Sequence, residues 1–262
     1  MSSGPSDALP EERQREILRR LNNQGRVVAS ELSTAFGVSE DSIRRDLREL
    51  AARGLCRRVY GGALLVSPDL PPVSLRRELQ VETKLLLART AASLVRSGHT
   101  LLIDAGSTNS AIADALPDRM ELTVVTTAPD IAQRLMDRQG FEILMIGGRL
   151  DKRAGSAVGI QAALDIRRVR ADLCFPGTCA IDPDTGIWGM NSEETLVKRA
   201  MIESSGETVV VVTTDKFGAV GPHQIATLDQ VDHLVVEHDI DPNIFAAFEA
   251  KSISVRRADK EK

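Results

Sequence analysis

The chain lacks most of the features that mark specialised protein classes. It has three cysteines, Cys56, Cys174 and Cys179, none in a C-x-x-C pair. An odd count does not build a disulfide framework, so reduced thiols are expected. Its four histidines, His99, His223, His233 and His238, never stand four residues apart on one helical face, so no metal site and no metal cofactor are expected. No apolar run approaches the roughly 18–20 residues that cross a bilayer, and the first residues carry no basic segment followed by an apolar one. No membrane partner and a cytoplasmic location are the expectations. Lysine is absent from residues 13–62, and that absence draws attention to what stands in its place.

What is present is an ordinary globular composition, 42% hydrophobic and 27% charged over 262 residues, enough for two domains at roughly 100–200 residues each. The formal net charge of −4 conceals an asymmetry. Residues 13–62 hold eleven arginines and six acids, a charge of +5, which leaves −9 on the remainder. A basic, arginine-only block on an acidic body suits a nucleic-acid-binding head, although a solvated helix surface carries charge in the same way.

Within that block, Ile17, Leu18 and Leu21 form one helical stripe closed by Gly25, and Val28, Leu32 and Phe36 form a shorter one closed by Gly37. Ser39 caps a third helix with an acidic first turn, Glu40 and Asp41, and with Ile43, Leu47 and Leu50 facing inward. Its outward positions are Ser42, Arg44, Arg45 and Arg48; Gly54 ends it, and Cys56 to Gly62 read as a strand and turn. The outline is a winged helix-turn-helix. A helix fits the major groove, arginines reach guanine edges, and a wing bearing Arg57, Arg58 and Tyr60 lies on phosphates.

The runs Gly25-Arg26-Val27, Glu31-Leu32, Phe36-Gly37-Val38-Ser39, Ser42-Ile43-Arg44-Arg45-Asp46-Leu47, Gly54-Leu55 and Gly61-Gly62-Ala63 resemble the DeoR family of bacterial transcriptional regulators. The chain has Ser42 and Tyr60 where the family has Thr and His. The resemblance implies that Ser42, Arg44 and Arg45 face double-stranded DNA, while Asp46 orients an arginine or supports packing.

Three prolines in residues 66–73 read as a connector, giving a head over 1–63, a linker over 64–74 and a body over 75–262. Ser74 is expected to cap one long helix reaching about Arg96. Apolar runs at 100–103, 122–125, 142–146, 173–175, 208–212 and 234–236 then alternate with helical stretches, the pattern of a mostly parallel α/β sheet. The fold class is therefore α/β, a winged head followed by a larger parallel body. Ligand loops in such sheets follow the strand ends. Asp104, Gly106, Ser107, Thr108 and Asn109 offer free N–H groups and hydroxyls to a phosphate, though an ordinary helix cap has the same form. Thr127, Gly148 and Lys216 follow other strands, with Lys216 as counter-charge. Glu194 and Lys198, four apart, read as a surface pair.

These loops resemble the DeoR sensor domain, similar in fold to ribose-5-phosphate isomerase, which binds phosphorylated sugars or related metabolites. The family pattern is replaced at Ala105, Thr127 and Thr213. The resemblance implies a homo-oligomeric dimer or tetramer, no cofactor, and a repressor of a carbohydrate operon relieved by its effector. Two alternatives stand beside it: a constitutive DNA-binding protein, and an isomerase, for which residues 177–182 supply only Asp182 as a base.

Overall fold

The computed structural model describes residues 10–24, 26–53, 55–66, 71–251 and 253–259. Gly25 and Gly54, read as helix stops, and residues 67–70 of the connector lie outside the described residues. In the head, α1 (Pro10–Gln24) is followed by β1 (Arg26–Val28), α2 (Ala29–Phe36), α3 (Glu40–Ala52), β2 (Cys56–Val59) and β3 (Gly62–Val66). Val28, expected to open the second helix, ends a strand instead, because Val28 and Gly62 are register partners in the β1 and β3 ladder. The wing is the antiparallel hairpin of β2 and β3, with Tyr60 fully exposed at its tip.

Ile17, Leu21, Leu32, Phe36, Ile43, Leu47 and Leu50 make the head's own core, as their helical spacing predicts. One buried polar contact braces it. The Asp46 carboxylate accepts from Arg13 Nε at 2.6 Å and from Gln14 Nε2 at 3.3 Å. This ties α3 to α1 and matches the expectation that Asp46 orients an arginine.

The body does not begin with one long helix. It begins with α4 (Val73–Arg76) and α5 (Val81–Ala92). Between them Gln80 adopts left-handed geometry, φ 52 and ψ 42, and the Lys84 ammonium donates to the carbonyls of Arg76 at 2.6 Å and Leu79 at 2.5 Å. A lysine thus satisfies the turn's carbonyls where no glycine or proline announces a break.

There follow β4 (Thr100–Ile103), α6 (Ser107–Ala115), β5 (Leu122–Thr126), α7 (Pro129–Leu135), β6 (Phe141–Met145), the hairpin β7 (Arg149–Asp151) and β8 (Ser156–Val158), α8 (Ile160–Ile166), β9 (Ala171–Phe175), β10 (Ala180–Asp182), β11 (Gly186–Gly189), α9 (Ser192–Glu203), β12 (Ser205–Val211), β13 (Ala219–Val220), β14 (His223–Ala226), β15 (His233–Val236), α10 (Pro242–Glu249) and β16 (Ser254–Arg257). Seven strands form one parallel sheet in the order β16, β15, β12, β9, β4, β5, β6. Alternate residues feed two cores. Leu101, Ile103, Leu173 and Phe175 pack with the α5 and α6 side, and Leu102, Cys174, Val210 and Leu234 with the α8 and α9 side. Strands after β4 run to one edge and those from β9 onward run to the other, so the switch point, where such sheets bind ligands, lies between β4 and β9.

Among the described residues no helix is long and apolar enough to cross a membrane. Removing the brace in the head is expected to be costly, because it takes the carboxylate from a buried guanidinium. Asp46→Ala should destabilise the head by about 3 kcal/mol in urea unfolding, and Asp46→Asn by less.

Candidate DNA-reading face and effector cavity

The Ser39 hydroxyl caps α3, accepting from the Ser42 N–H at 3.2 Å, and lies 3.0 Å from the Ser42 hydroxyl. The buried Ile43, Leu47 and Leu50 fix the helix's rotation, which leaves Ser42 half-buried and Arg44, Arg45 and Arg48 exposed. Arg44 pairs with Glu40 at 2.8 Å and Asp41 at 3.3 Å on its own helix. Arg45 and Arg48 have no ion pair among the described residues, so they stand ready for phosphates or base edges. On the wing Arg58 and Tyr60 are exposed. Arg57 is exposed beside them, and its Nη1 also donates to the Gly221 carbonyl at 2.9 Å, with its guanidinium 6.0 Å from the centre of the Trp188 ring. The wing arginine expected on DNA therefore reaches the body.

At the switch point the loops after β4, β9 and β12 converge on a cavity of about 120 Å³ lined by Gly106, Ser107, Thr108, Asn109, Gly177, Thr178, Cys179, Thr213 and Lys216, among others. Gly106 has φ 149, a backbone setting suited to glycine. It aims the first turn of α6 at the cavity. The N–H groups of Ser107, Thr108 and Asn109 find no acceptor among the described residues; the first internal bond runs from Ser110 to Gly106. Three free donors at a helix N-terminus make a place for an anion.

Behind the loop, Asp104 and Asn109 serve the architecture. Asn109 Nδ2 donates to the carbonyls of Asp104 at 3.0 Å and Phe175 at 2.8 Å, joining the ends of β4 and β9. Asp104 Oδ2 accepts from the Gly177 N–H at 2.9 Å and from Lys198 Nζ at 2.6 Å. Lys198 is only 1% exposed and also meets Glu194 at 2.9 Å, which corrects the reading of Glu194 and Lys198 as a surface pair. Burial pulls the lysine's pKa down, but Asp104 and Glu194 more than offset it and hold the ammonium above the ordinary lysine range. Gly177 is required here, because a Cβ would lie 2.6 Å from the Ala105 carbonyl oxygen and 2.8 Å from Asp104 Oδ2.

Three expected effector residues do not line the cavity: Asp104, which lies behind it, and Thr127 and Gly148. Thr127 is buried, its carbonyl accepts from Ala157, and its hydroxyl has no partner. Gly148 packs against Ala157 and Ala162. Both belong to the β7 and β8 side of the fold. In return the cavity gains Arg76, Lys84, Glu194 and Lys198, none expected there. Lys198 could have been suspected, since it shares the buried face of α9 with Val197, Ala200 and Met201; Lys84 carries no local signal. Burial raises the Cys179 thiol's pKa and keeps it neutral. Asp182, the isomerase's candidate base, instead holds its own turn by accepting from Asp184 N and from Thr185 N and Oγ1 at 2.9–3.0 Å. A larger hollow of about 1040 Å³ lies at the opposite, amino end of the strands. Arg167 meets Glu203 at 2.9 Å there, and Arg96, Arg170 and Arg256 line it without an ion pair among the described residues.

The Lys198 network makes a sharp prediction. Lys198→Met leaves buried carboxylates without their cation and should cost about 3–5 kcal/mol in chemical denaturation. A surface pair would cost about 0.3–0.5 kcal/mol.

Residues 13–69 match the model of the DeoR-like helix-turn-helix domain, and residues 79–238 match the DeoR C terminal sensor domain. The glycerol-3-phosphate regulon repressor of Escherichia coli K12 is 37% identical over 223 residues, 84% of this chain and 88% of that protein. The transcriptional repressor GlcR of Bacillus subtilis is 31% identical over 229 residues, 87% of this chain and 88% of the other. Ribose 5 phosphate isomerase A from Neisseria gonorrhoeae aligns with a TM-score of 0.40 at 15% identity, over 53% of this chain and 55% of that one. The chain belongs to the DeoR family of transcriptional regulators and is a regulator rather than an enzyme.

Proposed function

We propose that the protein is a sequence-specific DNA-binding repressor of a carbohydrate operon, released when a phosphorylated sugar or polyol enters the cavity at the β4 and β9 switch point. The observation that carries this reading is the cavity itself: three unpaired N–H groups on α6 share it with Lys216 and two loop hydroxyls. A phosphate monoester satisfies the free N–H groups and adds to the pairing of Lys216, which already meets Asp215 at 2.6 Å, whereas a neutral sugar leaves the helix terminus unanswered. The E. coli relative's name, glycerol-3-phosphate regulon repressor, supports the same ligand class. Arg45, Arg48 and Ser42 read the major groove, Arg44 joins them once its intrahelical pairs exchange for phosphates, and Arg58 and Tyr60 steady the wing. A homo-oligomer supplies the second head that a repeated or palindromic operator requires.

The signal has a short path. Lys216 is followed within a few residues by β13, which pairs in parallel with the wing strand β3, Ala219 opposite Leu65 and Val220 opposite Val66. Arg57 adds its bond to Gly221. An anion that draws Lys216 inward therefore pulls on main chain hydrogen-bonded to the wing, and coupling of about 1–3 kcal/mol is the usual scale for such a device.

The first test titrates full-length protein against labelled DNA from upstream of its own gene and a scrambled duplex at two salt concentrations. Preference that survives higher salt supports a specific reader, and equal, salt-labile binding refutes it. Arg45→Ala should weaken operator binding by about 1–3 kcal/mol, roughly 5- to 150-fold, while thermal stabilisation by glycerol 3-phosphate persists. Lys216→Ala should do the reverse; no stabilisation of the parent protein by any of a panel of phosphorylated sugars would leave the constitutive regulator as the answer. Arg57→Ala should keep both partners but lose on the order of 1 kcal/mol of the effector's power to release DNA, read as a rise in the effector concentration needed for half-release.

A further inference from the structure

Where the chain enters the body, large apolar side chains stand in water. Leu75 is 55%, Leu79 52%, Val81 57% and Leu85 39% exposed, all on α4, α5 and the turn between them. Single exposed aliphatics are ordinary, but a group on adjoining turns marks a surface that something covers. The charges around this group show what fits it. Val81 and Leu85, four apart on α5, share one stripe of the helix, and Glu82 and Arg89, seven apart, run beside it. Both charged residues are exposed, and neither has an ion pair among the described residues. Glu82 stands three residues before Leu85 and Arg89 four after it. A two-fold axis near Leu85 therefore brings Glu82 of one copy to Arg89 of another, twice, with the leucines between them. A helix face that is apolar in the middle and carries free charges of opposite sign at its two ends is complementary to itself when the helices run antiparallel. Another exposed apolar set, Leu144, Leu150, Ile160 and Leu164, is flanked instead by charges already paired within the chain, Arg149 with Glu193 and Asp165 with Arg168.

We propose that the exposed stripe of α5, with Leu75 and Leu79, is the face on which a second copy of this chain docks, the two α5 helices antiparallel and Glu82 of each against Arg89 of the other. This rests on the homo-oligomer that the repressor reading calls for. Leu79 joins the interface to the ligand site, since it belongs to the exposed group and also lines the switch-point cavity beside Gln80 and Lys84. An effector that shifts the turn at 79–81 therefore shifts the contact that sets the spacing of two heads.

Sedimentation equilibrium on the full-length protein tests this. Leu85→Glu sets two carboxylates against each other at the axis and should raise the dissociation constant between copies at least about tenfold, with the circular dichroism spectrum unchanged. Glu82→Arg and Arg89→Glu each put like charges opposite one another at both ends and should each weaken association about fivefold. Mixed one to one, these two variants should pair with each other to within about threefold of the parent's affinity, since each supplies the charge the other lacks. Both reversals also oppose the dipole of α5, a local effect that mixing does not cancel, so recovery reports contact between copies. An oligomer unmoved by Leu85→Glu, or a mixture no tighter than its components, overturns the proposal. A parent protein that stays monomeric overturns both this proposal and the homo-oligomer it rests on, and does so before any variant is made.

Discussion

The crevice of this protein is organised by one buried ammonium. Lys198 sits where β4 and β9 diverge and is reached by carboxylates from different parts of the chain, Asp104 at the end of β4 and Glu194 one turn earlier on α9. A buried ion pair is a poor source of stability, since desolvation offsets most of its Coulomb energy, but it is demanding about geometry. Asp104 keeps that geometry by also accepting from Gly177, so the loop after β9 is placed by the same carboxylate that neutralises the lysine. Asn109 then ties the two strand ends together through their carbonyls. With the strand ends and the α9 face fixed, the first turn of α6 has one direction in which to present its free N–H groups.

The head depends on a smaller version of the same arrangement. Arg13 and Gln14 of α1 hold Asp46 of α3, which is why an acid can sit in the middle of a helix whose exposed face is arginine. Asp46 is buried and turned towards α1. Head and body meet through main chain, β13 on β3, and through Arg57 on Gly221 and Trp188. The exposed pair of Arg26 with Asp184, at 2.7 Å, adds little, because solvent screens it. A contact made of backbone hydrogen bonds between a ligand loop and a wing transmits displacement better than one made of flexible charged side chains.

The head was legible in the sequence because its information is local. Ser39, the acidic first turn and the spacing of Ile43, Leu47 and Leu50 specify α3 without reference to anything distant, and the central strands were legible because strands covered on both faces read as apolar runs. The elements that escaped are those decided by long-range partners. Gln80 breaks a helix that periodicity continues, because Lys84 closes the turn from the next helix. Lys198 looks like half of a surface pair until α9 packs it over Asp104. The bond from Arg57 to the Gly221 carbonyl joins residues 164 apart, which no local pattern announces. The strand β16, Ser254 to Arg257, is polar and mostly exposed, and only its pairing with β15 at the sheet edge makes it a strand. Thr127 and Gly148 follow strands as ligand residues do, but β5 and β6 lie on the far side of the switch point from β9 and β12, so their loops open elsewhere.

The same network engages most of the crevice's titratable groups with one another or with main chain. Proton transfer needs a carboxylate or thiolate with a free lone pair beside the substrate. Here Asp104 answers Lys198 and Gly177, Glu194 answers Lys198, and Asp215 answers Lys216 and Thr213. Asp182 is spent on its own turn, and Cys179 is held as a neutral thiol by burial. Among the described residues the N–H groups of Ser107, Thr108 and Asn109 find no acceptor. Free N–H groups at a helix terminus are a donor set that an anion answers, and an effector consumed on binding could not sustain the shift it causes.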